Sequence, residues 1–175
     1  KLSKKAKTMV YQLMGGEPLA VSAVFPDQVR SDSRYKDFSP FHFLEILPGQ
    51  TFLTMPFSDR AKGDADTLIS KVPALLVGKK MNSAQKRILF RYLVHLVGDV
   101  HQPLHIGNGY DMGANLCDVN WITPGETKKE FSNMHSFWDD KMMSFIEEEF
   151  QRASGSSKKL LFVYREFGDS LLKEA

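Results

Sequence analysis

His95-Leu96-Val97-Gly98-Asp99-Val100-His101-Gln102-Pro103-Leu104-His105 puts four possible metal ligands into eleven residues, at the end of a long stretch with helical periodicity. His95 and Asp99 stand four apart, so on a helix they project from one face, one turn apart, where a single cation reaches both. Pro103 has no N–H to donate and disfavours helical backbone at Gln102, so regular helix stops there and His105 can swing toward a second ion. Three of the five histidines, His95, His101 and His105, lie in this run; the others are His42 and His135. A single histidine on an apolar helix face is ordinarily a core residue with a satisfied hydrogen bond. The clustering is what favours metal.

Working outward, Ser83 to Val100 reads as the central helix, with Ser83 as N-cap and Ala84, Ile88, Leu89, Tyr92, Leu93 and Leu96 on its apolar stripe. Asp66 to Lys79 is a helix before it. Ser3 to Met14 repeats apolar residues at helical spacing until Gly15-Gly16 ends it. Leu19 to Arg30 reads as a second helix, with a break or first turn expected at Pro26, beside Asp27. Ser31 to Asp66 has no sustained period and is expected to be a long irregular loop containing Phe41-His42-Phe43-Leu44-Glu45. Gly107 to Thr127 suggests a loop with at most a short hairpin. Asn133 can cap a helix from His135 to Phe150, Ser154-Gly155-Ser156-Ser157 breaks it, and Lys158 to Lys173 forms a last amphipathic helix. The expected fold is all-α: one compact multi-helix domain over residues 1–175, with long irregular loops around a metal cluster.

The 175 residues, 42% of them hydrophobic, suit one domain with a sizeable core. A net charge of only +2 argues against bulk electrostatic binding of nucleic acid but leaves room for local recognition of an anion. Cys117 is the only cysteine, which excludes an intrachain disulfide and a thiolate-rich zinc site; it is read as a small buried residue. Any metal must take His and carboxylate ligands. No apolar run is long enough to span a membrane, and the basic Lys1-Leu2-Ser3-Lys4-Lys5 start is not followed by a signal-peptide core. The chain begins inside what reads as a helix, so its N-terminus is expected to be incomplete.

A second segment, His135-Ser136-Phe137-Trp138-Asp139, repeats the His and carboxylate pair one helical turn apart. Alone, such a pair is also a common surface hydrogen-bonded couple. Beside the first cluster it becomes a candidate ligand set. Zinc suits imidazole nitrogen better than calcium or magnesium does, and iron and manganese remain open.

The run from His95 to His105, the Gly113-Ala114-Asn115 turn and Asn133-Met134-His135-Ser136-Phe137-Trp138-Asp139 closely resemble the zinc-dependent single-strand nuclease and 3'-nucleotidase family, of the mung bean nuclease type. Its superfamily includes bacterial zinc-dependent phospholipase C. The resemblance covers most of Phe25 to Asp139 and extends to Phe25-Pro26-Asp27-Gln28-Val29-Arg30 and Phe41-His42-Phe43. It implies an all-helical fold in which Asp27, His42, His95 and Asp99 hold one zinc, and His105, His135 and Asp139 hold a second with an open position. Asp99 would bridge to a third. Read without the resemblance, Asp27 is a helix cap and His42 an exposed loop side chain. The family completes its third zinc site with the mature N-terminal Trp and a nearby His; this chain has no Trp before Trp121 and no His before His42. A missing N-terminus is the expected reason.

The implied activity is hydrolysis of single-stranded DNA and RNA and of 3'-nucleotides to 5'-phosphate products, by a metal-bound hydroxide attacking phosphorus in line. Asp27 is a candidate to orient the nucleophile or accept its proton. Arg30 could hold a phosphate oxygen, although a solvated helix-face arginine is the reading the residue alone favours. Phe43 fits the family's base-stacking aromatic, with loop packing as its alternative. Glu45 stands where the family has a carboxylate supporting a metal ligand, and is Glu in place of Asp. Asp140 replaces an Asn that contacts the base in relatives, which loses the amide donors. Asn115 shapes the site loop, and His101 is read as structural. Zinc-dependent phospholipase C is the nearest alternative; His135-x-x-x-Asp139, where those enzymes usually have a closing Glu, weighs against it. A non-catalytic zinc-binding protein is the other. The resemblance also implies a monomer exported to the periplasm or cell exterior.

Overall fold

The structure is a computed structural model that describes residues 2–51, 53–55, 64–107, 110–122, 127 and 129–153. They are predominantly helical, and the sheets among them are two two-stranded ladders, as an all-α fold requires. The chain divides into two compact units, Lys1–Gly113 and Ala114–Ala175.

In the first unit, α1 (Lys4–Met14) begins where the Ser3 hydroxyl accepts the Ala6 N–H at 3.2 Å and ends at Gly15, whose φ of 64° is the left-handed conformation that closes a helix. Then α2 (Leu19–Gln28) follows Pro18. The break expected at Pro26 does not occur: the proline is buried inside α2, and helix runs on to Gln28. Its ring removes one backbone donor, and burial of the ring itself offsets part of the loss. The next difference lies in Ser31 to Asp66, where Ser33–His42 forms a 3-10 helix in place of irregular loop, opened by Asp32, which accepts the Arg34 N–H at 2.9 Å. Three residues per turn leave no apolar period of the α-helical kind.

After β1 (Leu44–Glu45), α3 (Ala65–Val77) is capped by the Asp64 carboxylate, which accepts the Thr67 N–H at 2.7 Å. The N-cap of α4 (Ser83–Asp99) is Asn82, not Ser83 as expected: Asn82 and Gln85 exchange backbone-to-side-chain hydrogen bonds at 3.0 Å in a reciprocal capping box. The core joins Leu68 and Val72 of α3 to Leu89, Tyr92 and Leu96 of α4, with Phe25, Tyr35, Phe38 and Phe41 packed against it. Each fully buried side chain of this kind is worth about 1.5–3 kcal/mol over an exposed one. A short 3-10 turn, Pro103–His105, leads into β2 (Ile106–Gly107), which pairs parallel with β1.

In the second unit, β3 (Asp118–Ile122) and β4 (Lys129–Asn133) form an antiparallel hairpin. Asn133 caps α5 (Met134–Ser136), accepting the Ser136 N–H at 2.7 Å. A π-helical turn, Phe137–Lys141, carries on into α6 (Met142–Ala153). Cys117 is exposed rather than buried, because the segment between the Gly113-Ala114 turn and β3 lies at the surface. The Lys158 to Lys173 helix and the break before it fall outside the described residues.

Candidate metal centre

Three segments of the first unit meet at one cluster. α2 brings Asp27 on its last turn; the 3-10 helix ends on His42; α4 ends with His95 and Asp99 one turn apart. His95 Nε2 lies 3.0 Å from Asp99 Oδ2, 2.9 Å from His42 Nδ1 and 3.6 Å from Asp27 Oδ1. His42 Nδ1 lies 3.1 Å from Asp99 Oδ2 and 3.7 Å from Asp27 Oδ1. Four donors at ligand bonds of about 2.0–2.1 Å in tetrahedral array are about 3.3 Å apart. These five separations bracket that edge, and the donors that stand mutually close enough to share one ion are those of Asp27, His42 and His95, with Asp99 against both histidines.

The electrostatics point the same way. His95 Nδ1–H donates to the Ala23 carbonyl at 2.6 Å, which leaves Nε2 of the neutral ring as a lone pair aimed at the Asp99 carboxylate. Two acceptors at 3.0 Å need a positive centre between them, either a proton on His95 or a metal ion. Burial pulls the His95 pKa down, but the hydrogen bond and charge of Asp99, and the charge of Asp27, outweigh it and the net direction is up. Burial raises the Asp99 carboxyl, yet its hydrogen bonds to His105, His42 and His95 hold it far below the usual carboxylate range. His105 Nδ1 lies 3.5 Å from the other Asp99 oxygen, Oδ1, so the carboxylate faces histidine on both sides.

Exposure divides the roles. The His42, His95 and Asp99 side chains are 6%, 8% and 11% exposed, whereas Asp27 is 58% exposed. Asp27 is therefore the solvent side of the cluster. Beyond His42 the backbone is extended, with Phe43 at φ −149° and ψ 169°, so side chains alternate: His42 and Leu44 point in, Phe43 and Glu45 point out. Arg30 is exposed just past the end of α2. His101 is exposed, its ring nitrogen donating to the Val97 carbonyl at 2.6 Å.

In the second unit, His135 Nε2 stands 3.2 Å from Asp139 Oδ2. Asp140 is exposed, with Lys141 Nζ 3.7 Å from its carboxylate. Asn115 is exposed and lines an open hollow of about 630 Å³ bordered by β3 and β4. One contributor escaped the sequence reading: the Ala23 carbonyl is a backbone atom that no side-chain pattern reports.

A helical unit that gathers two histidines and two aspartates from three segments defines a class: helical proteins with a His/Asp donor cluster that could hold a metal ion. Within that class the chain belongs to the S1/P1 nuclease family, whose profile matches residues 1–172. It is 29% identical over 126 residues to nuclease S1 of Aspergillus oryzae, covering 71% of this chain and 42% of that protein. Over 136 residues it is 26% identical to endonuclease 1 of Arabidopsis thaliana, again 71% of this chain and 42% of the relative. With endonuclease 2 of Arabidopsis thaliana it shares 30% over 154 residues, 83% of this chain and 50% of that protein. The chain thus spans half or less of the length of these relatives.

Proposed function

We propose that this chain carries the metal centre of a zinc-dependent phosphoesterase that cleaves single-stranded DNA and RNA to 5'-phosphate products and hydrolyses 3'-nucleotides to nucleoside and phosphate. The observation that carries the reading is the cluster of Asp27, His42 and His95, whose donor atoms lie close enough to share one ion, with Asp99 Oδ2 within 3.1 Å of His42 Nδ1 and 3.0 Å of His95 Nε2. The names of the relatives, nucleases and endonucleases, support the substrate class. Zinc, when bound, supplies Lewis acidity toward a phosphoryl oxygen and lowers the pKa of water in its shell.

The chain's own residues do the rest. His42 and His95 are buried, Asp99 is half-buried beside them, and together they fix the centre, while the Ala23 carbonyl keeps His95 in the tautomer that presents Nε2. Asp27, on the solvent side, would orient an attacking water and take its proton at the carboxylate oxygen that does not face the histidines. Phe43 turns its ring outward next to His42, where it can stack on a base of any identity, and Glu45 shares its face. Arg30, exposed past the end of α2, is free to meet a phosphate oxygen. The His135 and Asp139 pair, the remaining ligands named from the sequence, and an exported monomeric protein belong to the same proposal and rest on the family resemblance. No helix among the described residues is long and apolar enough to cross a membrane.

The test measures bound metal by plasma emission on protein with its native N-terminus, alongside hydrolysis of single-stranded DNA, a 3'-nucleotide and phosphatidylcholine. Zinc in the protein, with DNA and nucleotide turnover lost to EDTA and restored by zinc, is the expected result. Turnover of phosphatidylcholine alone would move the chain to the phospholipase branch, and bound zinc with no hydrolysis would make it a binding protein.

A further inference from the structure

α2 gives the first metal centre both the Asp27 carboxylate and the Ala23 carbonyl, and both are useful only if α2 is seated correctly on α4. Its own sequence does little to seat it: α2 has no side-chain cap, and Pro26 removes a backbone bond near its end. Arg91 reaches across from α4. It stands four residues before His95 and so on the same face. Its Nε donates to Glu17 Oε1 at 3.0 Å and its Nη2 donates to Glu17 Oε2, the two-pronged arrangement that a guanidinium forms with a carboxylate. The same guanidinium lies over the Phe25 ring, 4.4 Å from its centroid. Fully buried Ser22 donates its hydroxyl to Glu17 Oε1 at 2.9 Å. The charge pair therefore grips α2 twice, ahead of its first turn through Glu17 and near its middle through Phe25.

We propose that Arg91, clamped by Glu17 and stacked on Phe25, is a positioning residue for the first metal centre: it sets the seat of α2 on α4 and so brings the Ala23 carbonyl to His95 Nδ1 and Asp27 to the donor cluster. The inference rests on the reading of Asp27, His42, His95 and Asp99 as zinc ligands. The Arg91 and Glu17 side chains are 19% and 20% exposed, so the pair is mostly withdrawn from solvent and loss of either partner leaves the other's charge poorly compensated. Lysine, a point charge without the planar fork, can replace the charge but not the stacking or the two-pronged bond.

The experiment compares Arg91→Ala, Arg91→Lys and Glu17→Gln with Arg87→Ala in the full chain. Arg87 Nε donates to the Leu13 carbonyl at 3.0 Å, tying α1 to α4, and its charge acts on Glu17 less than that of Arg91 does, so it controls for general loss of stability. Three quantities are read: zinc affinity by chelator competition, the absorption spectrum of the cobalt-substituted centre, and the unfolding midpoint in EDTA. Arg91→Ala is expected to weaken zinc binding by about 10- to 100-fold, as removal of supporting groups around a metal site does, and to change the cobalt spectrum. Arg91→Lys should recover part of the loss and Glu17→Gln should show a smaller one. Arg87→Ala should lower the midpoint yet leave zinc affinity within about two-fold. The inference is overturned if affinity falls in proportion to lost stability in the Arg91 and Arg87 variants alike, or if Arg91→Lys and Glu17→Gln both keep the parent affinity and spectrum. Should Arg91→Ala fail to fold, those two milder variants decide the matter. A parent protein that takes up no zinc would sink the metal reading itself and this inference with it; a parent that binds zinc and variants that bind it equally would sink this inference alone.

Discussion

The same five-residue spacing, His-x-x-x-Asp, occurs twice in this chain and is built in two different ways. His95 and Asp99 close a 17-residue helix, with side chains 8% and 11% exposed, and two more ligand candidates arrive from other elements. His135 and Asp139 start on a three-residue helix and end in a π-helical turn, with side chains 21% and 35% exposed. The nitrogen-to-oxygen distances, 3.0 and 3.2 Å, hardly differ. Spacing fixes the pair; the surroundings decide how rigidly it is held and how dry it is.

The largest test of that contrast is Asp99→Asn. Removing the charge that both His42 and His95 face should cost zinc affinity at the first centre more than about 100-fold, beyond what loss of a supporting group costs, as read by chelator competition and metal analysis. An affinity close to that of the parent would mean that the buried pair is a structural ion pair after all.

A second test uses pH on the metal-free protein. The raised His95 pKa contributes stability that is fully present below the imidazole's ordinary 6.5 and is lost as pH rises through its folded value. The lowered Asp99 pKa contributes stability present above the carboxyl's ordinary 3.8 and lost as pH falls toward its folded value. In EDTA the unfolding midpoint should therefore be highest between those two values and decline above pH 6.5. Zinc must displace the His95 proton, so with zinc added the midpoint should rise over the same interval. Parallel pH profiles with and without zinc would show that metal and proton do not compete at His95.

The smallest expected effect is that of Asn133→Ala. It removes the cap of α5 and should cost about 0.5–2 kcal/mol of local helix stability, loosening His135 and Asp139 without touching the first centre. Hydrogen exchange at residues 134–141 should speed up while exchange in α4 stays unchanged. Faster exchange in both would show that the two pairs are not independently built.

Much of this was legible in the residues. Ser3, Gly15 and Asn133 mark helix ends because capping is local chemistry, and the stripe Leu89, Tyr92, Leu96 marks the core face of α4. His95, Asp99, His135 and Asp139 announced themselves because ligand pairs one turn apart need only helix geometry. Asp27 and His42 did not; their partners are distant in sequence, and only the family resemblance joined them to the rest. Ser33–His42 was missed because short 3-10 segments carry no α-helical period. The helix through Pro26 was missed because tertiary packing overrode a strong local signal.

The hydrogen bond between His95 and the Ala23 carbonyl spans 72 residues of chain, and the contact between His42 and Asp99 spans 57. In kinetic terms the first centre cannot exist early. Helix α4 can form its last turn by itself within about a microsecond, and that turn offers His95 and Asp99 alone. The other donors arrive only after loops of roughly fifty to seventy residues have closed, the slow kind of event in folding. Metal capture at the proposed centre would thus be a clock for the docking of α2 and the 3-10 helix onto α4, and an ion added during refolding would report the last long-range step rather than the first helical one.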